Sequence, residues 1–354
     1  MAAPTSLDRT VISASGIAGN IHGAANAVAQ TQGAANATAT PGETAVETRK
    51  RNHNRWAIIL AGGEGTRLAD LSCRIAGEKT PKQFCRIMDD QSLIERTRQR
   101  VELAIPKDRI FYTLSRSHES YYVPLLLDVL LARLVVQPAN RGTAPAILYA
   151  LMRLGLVEPN AHVALFPCDH YVSDDRLFMR HIQVAFDAID ARPELTVVLG
   201  IAPSTAESEY GWIEPASPFR CGEETLFHVS RFIEKPSVEV ARTMYAHGRC
   251  LWNSFVLVAR LPNLLALMIR TLPELYDLFA EFSGMLGTEF ESEAVEKIYR
   301  DIAPVDFCKS VLSTHARNHI SVLPVSGLYW NDLGNPSRVL ATLARRGLRP
   351  KWVA

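Results

Sequence analysis

"ILAGGEGTRLADL", Ile59–Leu71, carries the reading of this 354-residue chain. An apolar run enters three glycines and leaves through Thr66 and Arg67. The "WAIIL" run (56–60) has the continuous apolar character of a strand buried on both faces. A buried strand that breaks into a glycine loop ending on a cation suits the close approach of an anion. Glycine lets the backbone crowd a ligand, successive N–H groups form a nest, and arginine offers a planar fork matched to phosphate. Three readings of the loop stay open on these residues alone. A P-loop needs G-x-x-x-x-G-K-[ST], and no Lys-Ser or Lys-Thr follows. A dinucleotide fingerprint needs G-x-G-x-x-G, but Leu68 holds the sixth place and no acid-ended strand follows. The third reading is a glycine-rich tight turn and nothing more.

Working outward, short apolar runs alternate with helical patterns. "RIFYTL" (109–114), "RLVVQ" (133–137), "HVALF" (162–166) and "LTVVLG" (195–200) read as strands. "SLIERTRQRVELA" (92–104) reads as a helix with a capping box, Ser92 at the cap and Glu95 three residues on. Further helices are expected in "HESYYVPLLLDVL", "TAPAILYALMRLG" and "DDRLFMRHIQVAFDAID". This alternation predicts an α/β fold with a doubly wound, mostly parallel sheet. Beyond residue 200 the order is mixed. Strands near 210–215, 226–233, 251–258 and 319–325, and helices over about 261–283 and 289–300, predict added strands and helices around the same sheet.

Residues 1–54 differ from the rest: Ala, Thr, Asn and Gly dominate, and no aromatic residue precedes Trp56. Such a stretch buries too little apolar surface to offset chain entropy and is expected to be a disordered leader. It lacks the basic start and apolar core of a secretory signal. One catalytic domain is expected over 55–354. The net charge of +1 supplies no field for nucleic acid or a membrane surface. No apolar run reaches the ~20 residues of a membrane span. Six scattered cysteines without a C-x-x-C point to a reduced, cytoplasmic protein without disulfides or zinc knuckles.

The loop has company. "TPKQF" (80–84) follows, where Pro81 stiffens the chain and Lys82 is placed to return over the same phosphates. The combination "LAGGEGTRL…PKQF" resembles the sugar-1-phosphate nucleotidyltransferases, and within them the mannose-1-phosphate guanylyltransferases. The likeness extends through "QPANRGTAPAI" (137–147), "FPCDHYV" (166–172), "EYGWIEP" (209–215), "FIEKP" (232–236), "LWNSFVL" (251–257) and "WNDLGNP" (330–336), in the family's order. There are departures. "CRIAGEK" lengthens the spacing before Thr80, and Asp70 stands where proline is common. Gly142 replaces an Asn, and Cys168 replaces a small Ser or Ala.

The resemblance implies a Rossmann-like nucleotidyltransferase fold and a reaction between two anions. A sugar-1-phosphate oxygen attacks the α-phosphorus of a nucleoside triphosphate, and pyrophosphate leaves. Mannose-1-phosphate and GTP are the implied small-molecule substrates, with Mg²⁺ as cofactor; neither nucleic acid nor membrane is an expected partner, and a homo-oligomer is left open. Another sugar phosphate or nucleotide, or a non-catalytic relative, are the alternatives.

Ala61, Gly62, Gly63, Gly65 and Thr66 would cradle the nucleotide, with Gln137, Gly142 and Thr143 toward its base. Arg67, Lys82, Asp169 and Lys235 would carry catalysis, and Asp169 with Asp332 would hold the metal. Gly211, Glu234, Lys235 and Asn253 would meet the sugar phosphate. Each residue also has a plainer reading. Asp169 could cap the following helix, although Ser173 and Asp174 stand nearer its start. Asp332 could be a turn residue before Gly334, Lys235 a surface charge and Gly211 a kink. Asn253 could satisfy itself on a backbone group, and Thr143 could cap its helix. Cys168 reads as a small buried residue without redox role. His170 is expected on the other face of its segment, steadying it by hydrogen bonding.

Overall fold

The strand expected at 56–60 is β1 (Arg55–Leu60) in a computed structural model that describes residues 54–314, 320–350 and 352. Apart from Asn54, the expected leader lies outside the described residues. β2 (Ile110–Ser115) and β3 (Leu134–Gln137) add on one side of β1 and β4 (His162–Pro167) on the other, all parallel. The later strands are β5 (Tyr171–Val172), β6 (Thr196–Ile201), β7 (Gly211–Cys221), β8 (Glu224–Glu234), β9 (Leu251–Arg260), β10 (Ser321–Val325) and β11 (Trp330–Asn331). The nine-stranded sheet runs β3-β2-β1-β4-β9-β6-β10-β8-β7. Only β8 and β9 oppose the common direction, so the sheet is mixed but mostly parallel. β5 and β11 form a separate antiparallel ribbon.

The longer helices are α1 (Ala69–Ala76), α2 (Leu93–Glu102), α3 (Thr143–Gly155), α4 (Asp175–Ala191), α5 (Val238–His247), α6 (Leu261–Thr271), α7 (Pro273–Glu281), α8 (Glu291–Asp301) and α9 (Pro336–Arg346). The two-residue period of a strand sends alternate side chains into opposite layers. Ile58 packs with Ile147, Leu264 and Ile298, from α3, α6 and α8. Ala57 and Ile59 pack with Ile94, Phe178 and Ile182, from α2 and α4. That is why β1 reads as an unbroken apolar run. The Ser92–Glu95 capping box is present.

Two expected helices are corrected. Over 118–130 there is only one helical turn, Glu119–Tyr122, followed by a 3-10 turn, Val123–Leu125. Pro124 lacks the amide a longer helix would need. The helix expected over 261–283 is two, α6 and α7, separated by Leu272 at φ −138° and ψ 57°. Pro273 disfavours helical backbone at the residue before it.

Candidate active site

Strand register assembles the site. Leu60 at the end of β1 pairs with Thr113 on one side and Pro167 on the other. The glycine loop, the end of β2 and the Cys168–Asp169 segment therefore leave the sheet at one level, at the carboxyl ends of parallel strands. This is where open α/β sheets bind ligands. Gln137 ends β3 at the same edge. Around these ends lies a cavity of about 340 Å³, whose lining includes Gly62, Gly63, Gly65, Gln137, Gly142, Thr143 and Asp169.

The glycine loop is held by a neighbouring side chain. Gln83 is buried, and its Nε2 donates to the carbonyls of Ala61 (2.9 Å) and Gly63 (2.8 Å). Those bonds occupy two of the loop's carbonyl oxygens and fix its backbone beside the cavity, which Gln83 also lines. Gly65 sits at φ +63°, and a Cβ there would come 2.8 Å from the Lys82 amide nitrogen. Loop and "PKQF" segment thus fit together only with glycine at 65.

Lys82 joins the two carboxylate segments. Only 6% exposed, it places Nζ 3.0 Å from Asp169 Oδ2 and donates to the main-chain carbonyl of Asp332. The β5–β11 ribbon explains the meeting. Trp330 pairs with Val172 and Asn331 with Tyr171, and continuing that register sets Asp332 across from His170, beside Asp169. Asp174, not Asp169, caps α4, its side chain accepting from Leu177 N at 2.8 Å. Asp332 keeps its turn role as well. Its Oδ1 accepts from Gly334 N (2.8 Å), Arg338 Nη1 (2.8 Å) and Tyr210 OH (3.2 Å).

Burial pushes both carboxyls up, but the neighbouring groups together, Lys82 foremost, outweigh it, and both lie below the usual carboxylate range. Arg338 adds to the effect at Asp332. Burial pulls His170 down to about 4, so its ring is neutral near pH 7. The ring packs edge-on against Trp330; its buried Nδ1 has no hydrogen-bond partner, and its Nε2 lies 3.7 Å from Asp169 Oδ1, longer than the expected steadying hydrogen bond. Burial pushes the Cys168 thiol well up, so it stays protonated.

The donor set can be tested against a magnesium ion. Among the described residues no group of three or more His, Cys, Asp or Glu could hold a metal. Magnesium is commonly bound by only one or two carboxylates, with water and substrate phosphates completing its shell. Asp169 and Asp332 supply two such hard oxygen donors around one ammonium. Asp332 Oδ1 is occupied by three donors, while Oδ2 accepts no bond from another described residue. The residues fit the ion.

A second cluster adjoins the cavity through Phe255 and Asp306, which line it. Gly211 pairs with Glu234 across β7 and β8, and a Cβ at 211 would come 2.5 Å from Glu234 Oε2. Asn253 is buried; its Oδ1 accepts from Phe255 N (2.9 Å) and its Nδ2 donates to Cys308 Sγ (3.5 Å). Its plainer reading, a local backbone partner, is thus realised. Burial and the neighbouring Asp306 carboxylate push Glu234 up to about 7, making it a group that can donate as well as accept near neutrality.

A family model described as Nucleotidyl transferase matches residues 56–345, from β1 through nearly all of α9. The chain belongs to the nucleotidyl transferase family. A mannose-1-phosphate guanylyltransferase of Salmonella muenchen is 28% identical over 283 residues, 78% of this chain and 57% of that protein. The alginate biosynthesis protein AlgA of Pseudomonas aeruginosa is 27% identical over 289 residues, 80% of this chain and 57% of its own length. This nucleotidyl transferase therefore spans little more than half the length of these relatives. A crystal structure described as mannose-1-phosphate geranyltransferase, from Thermus thermophilus, superposes with a TM-score of 0.68 at 25% identity, covering 81% of this chain and 79% of that one.

Not every expected residue of this nucleotidyl transferase converges on the cavity. Arg67 lies on an exposed 3-10 turn with Thr66, its side chain 53% exposed and its Nη1 3.6 Å from Glu209 Oε2. Lys235 is exposed, at φ +48°, with Nζ 4.0 Å from Glu234. Gln137 lines the cavity, but its amide is already engaged by Leu114 O and Tyr299 OH. Thr143 is the first residue of α3, not its cap, and its hydroxyl accepts from Phe307 N at 2.8 Å. Gly142 takes the cap position at φ +84° against the Val305 main chain, which an Asn side chain would strike.

Sequence reasoning missed Gln83, Arg338, Asp306 and Thr97. Gln83 stood inside the quoted "TPKQF", where a polar side chain beside a proline-stiffened lysine was the available signal. Arg338 lies in α9 and reaches Asp332 six residues back; nothing in "NPSRVL" announces it. Thr97 donates to the Cys168 carbonyl at 2.9 Å from the middle of α2, without sequence signal.

Proposed function

We propose that this chain joins a sugar-1-phosphate to a nucleoside triphosphate, with mannose-1-phosphate and GTP as substrates and GDP-mannose and pyrophosphate as products. The observation that carries the reading is Lys82, whose ammonium links Asp169 to the Asp332 segment beside a glycine loop at the carboxyl ends of parallel strands. The relatives' names support the choice of sugar and nucleotide.

In the reaction an oxygen of the sugar phosphate forms a bond to the α-phosphorus, and the bond to the β-phosphate oxygen breaks. No covalent enzyme intermediate is needed, so the protein's work is alignment and charge neutralisation. The loop amides, on a backbone that Gln83 fixes through two carbonyls, donate to the phosphates that leave as pyrophosphate. Lys82 offsets their charge from the far side of Gly65. Asp169 and Asp332 would hold a magnesium ion, which would supply electrostatic stabilisation of the phosphoryl oxygens. Arg67 closes the loop by leaving Glu209 for the triphosphate. Glu234 and Gly211 receive the sugar, and Lys235 pairs with its phosphate.

The test is pyrophosphate release with Mg²⁺ across four nucleoside triphosphates and a panel of sugar-1-phosphates. GTP with mannose-1-phosphate should be fastest. A different best pair would reassign the substrates, and no release with any pair would overturn the proposal.

A further inference from the structure

Behind the ribbon that carries the two carboxylates lies a second cavity, of about 570 Å³. Tyr171, Ser173, Gly327, Tyr329, Arg345 and Arg346 line it. None of them belongs to the site described above. Arg345 stacks over the Tyr329 ring (4.6 Å) and Arg346 lies over the Tyr171 ring (5.8 Å). Both arginines are exposed at the end of α9, and among the described residues neither guanidinium has an ion-pair partner.

Stacking on a ring occupies the flat face of a guanidinium and leaves its in-plane N–H edge for a ligand. Two adjacent cations repel, and a doubly charged anion placed between their edges would relieve that repulsion through charge-assisted bonds. The Tyr329 ring is itself held. Tyr329 OH accepts from Asn331 Nδ2 at 3.0 Å and meets Thr342 Oγ1 at 3.2 Å. Ser173 and Tyr329 exchange bonds across the ribbon, Ser173 N to Tyr329 O and Tyr329 N to Ser173 Oγ, each at 2.9 Å. The wall is therefore preorganised, and the cavity is large enough for a small phosphorylated molecule.

We propose that this cavity is a second ligand site, for a diphosphate-bearing molecule, distinct from the catalytic cavity. Its position gives it a regulatory reach. Tyr171 follows Asp169 by two residues and Tyr329 precedes Asp332 by three, so a ligand gripping both tyrosine–arginine pairs loads both ends of the ribbon that sets the two carboxylates. The binding part of this proposal stands apart from the proposed function; the regulatory part rests on it.

Labelled pyrophosphate in equilibrium dialysis tests it. The wild-type chain should bind a second equivalent beyond the catalytic one. Arg345→Gln/Arg346→Gln should weaken that second binding about tenfold or more, and Arg345→Lys/Arg346→Lys should restore it only in part. Gly65→Val should abolish the catalytic equivalent and keep the second. In that background, pyrophosphate should slow amide exchange in the 327–333 and 169–173 segments. A single equivalent, unchanged by the double Gln variant, would overturn the second site. A single equivalent lost in the double Gln variant but not in Gly65→Val would keep this site and remove the proposed catalytic one. Equal displacement by sulfate at the same concentration would reduce the cavity to an unselective basic patch and overturn the proposal. Exchange that slows only at 345–346 would refute the coupling to the ribbon.

Discussion

Gly65→Ala tests whether the glycine loop and the lysine segment are one machine. The native φ of +63° is left-handed, which costs an L-residue about 1–2 kcal/mol. The added methyl meets backbone, not a flexible side-chain end: Lys82 N at 2.8 Å and Lys82 Cβ at 3.1 Å. Relief requires the Lys82 main chain to move by tenths of an ångström, and Lys82 Nζ now lies 3.0 Å from Asp169. Losing one charge-assisted contact costs about 1.5–3 kcal/mol, or roughly ten- to a hundredfold in turnover. The backbone strain alone should lower the melting temperature by roughly 2–3 °C for a domain of this size. Gly63→Ala is the control, because nothing lies within 4 Å of a Cβ there. The assays are pyrophosphate release and thermal melting of both variants beside the wild type. If the two variants lose activity and stability equally, contact with Lys82 is not what makes Gly65 necessary, and the reasoning is refuted.

Gln83→Leu removes both donors to the loop carbonyls; it should raise the KM for nucleotide about tenfold while leaving that for sugar phosphate near the wild-type value, and an unchanged nucleotide KM would show that the loop holds its shape unaided. Lys82→Ala should mainly impair nucleotide use and Lys235→Ala sugar-phosphate use, so matching effects on both substrates would contradict the division. Arg67→Ala should cut turnover by about tenfold or more; intact turnover and affinity would leave Arg67 as a surface partner of Glu209. Glu234 supplies a pH test. Folded, it keeps its proton up to about 7, against 4.5 for an ordinary glutamate, so the folded state binds more protons across that window and stability falls as pH rises through it. Glu234→Gln removes the loss, so the variant's melting temperature should gain on the wild type from pH 4.5 to 7 and then level off. A difference that stays flat with pH would mean Glu234 ionises normally in the folded protein.

Local signals placed most of the sheet and the loop. β1, β2, β3, β4 and β6 lie where apolar runs between breakers put them, because a strand buried on both faces must be apolar at every position. The Ser92–Glu95 box and the glycine at 65 were legible for the same reason: capping and left-handed backbone are satisfied within a few residues. The helices misread at 118–130 and 261–283 show the limit of periodicity, since Pro124 and Pro273 override an otherwise helical pattern.

Which side chains meet was decided only by the tertiary structure. Asp169 and Asp332 are far apart in the chain, and the register of a two-residue ribbon brings them to one lysine. Gln83, Arg338 and Thr97 act through single hydrogen bonds to distant segments, which leave no periodic trace. The exposure of Arg67 and Lys235 was equally hidden, because a motif names a residue without fixing its rotamer or its competing partners. Sequence alone thus determined the strands, the loop and the residue types that can serve a phosphate reaction, since these depend on local backbone preference and burial. The grouping of those residues around one cavity depends on strand order and register, which arise from packing across the whole sheet.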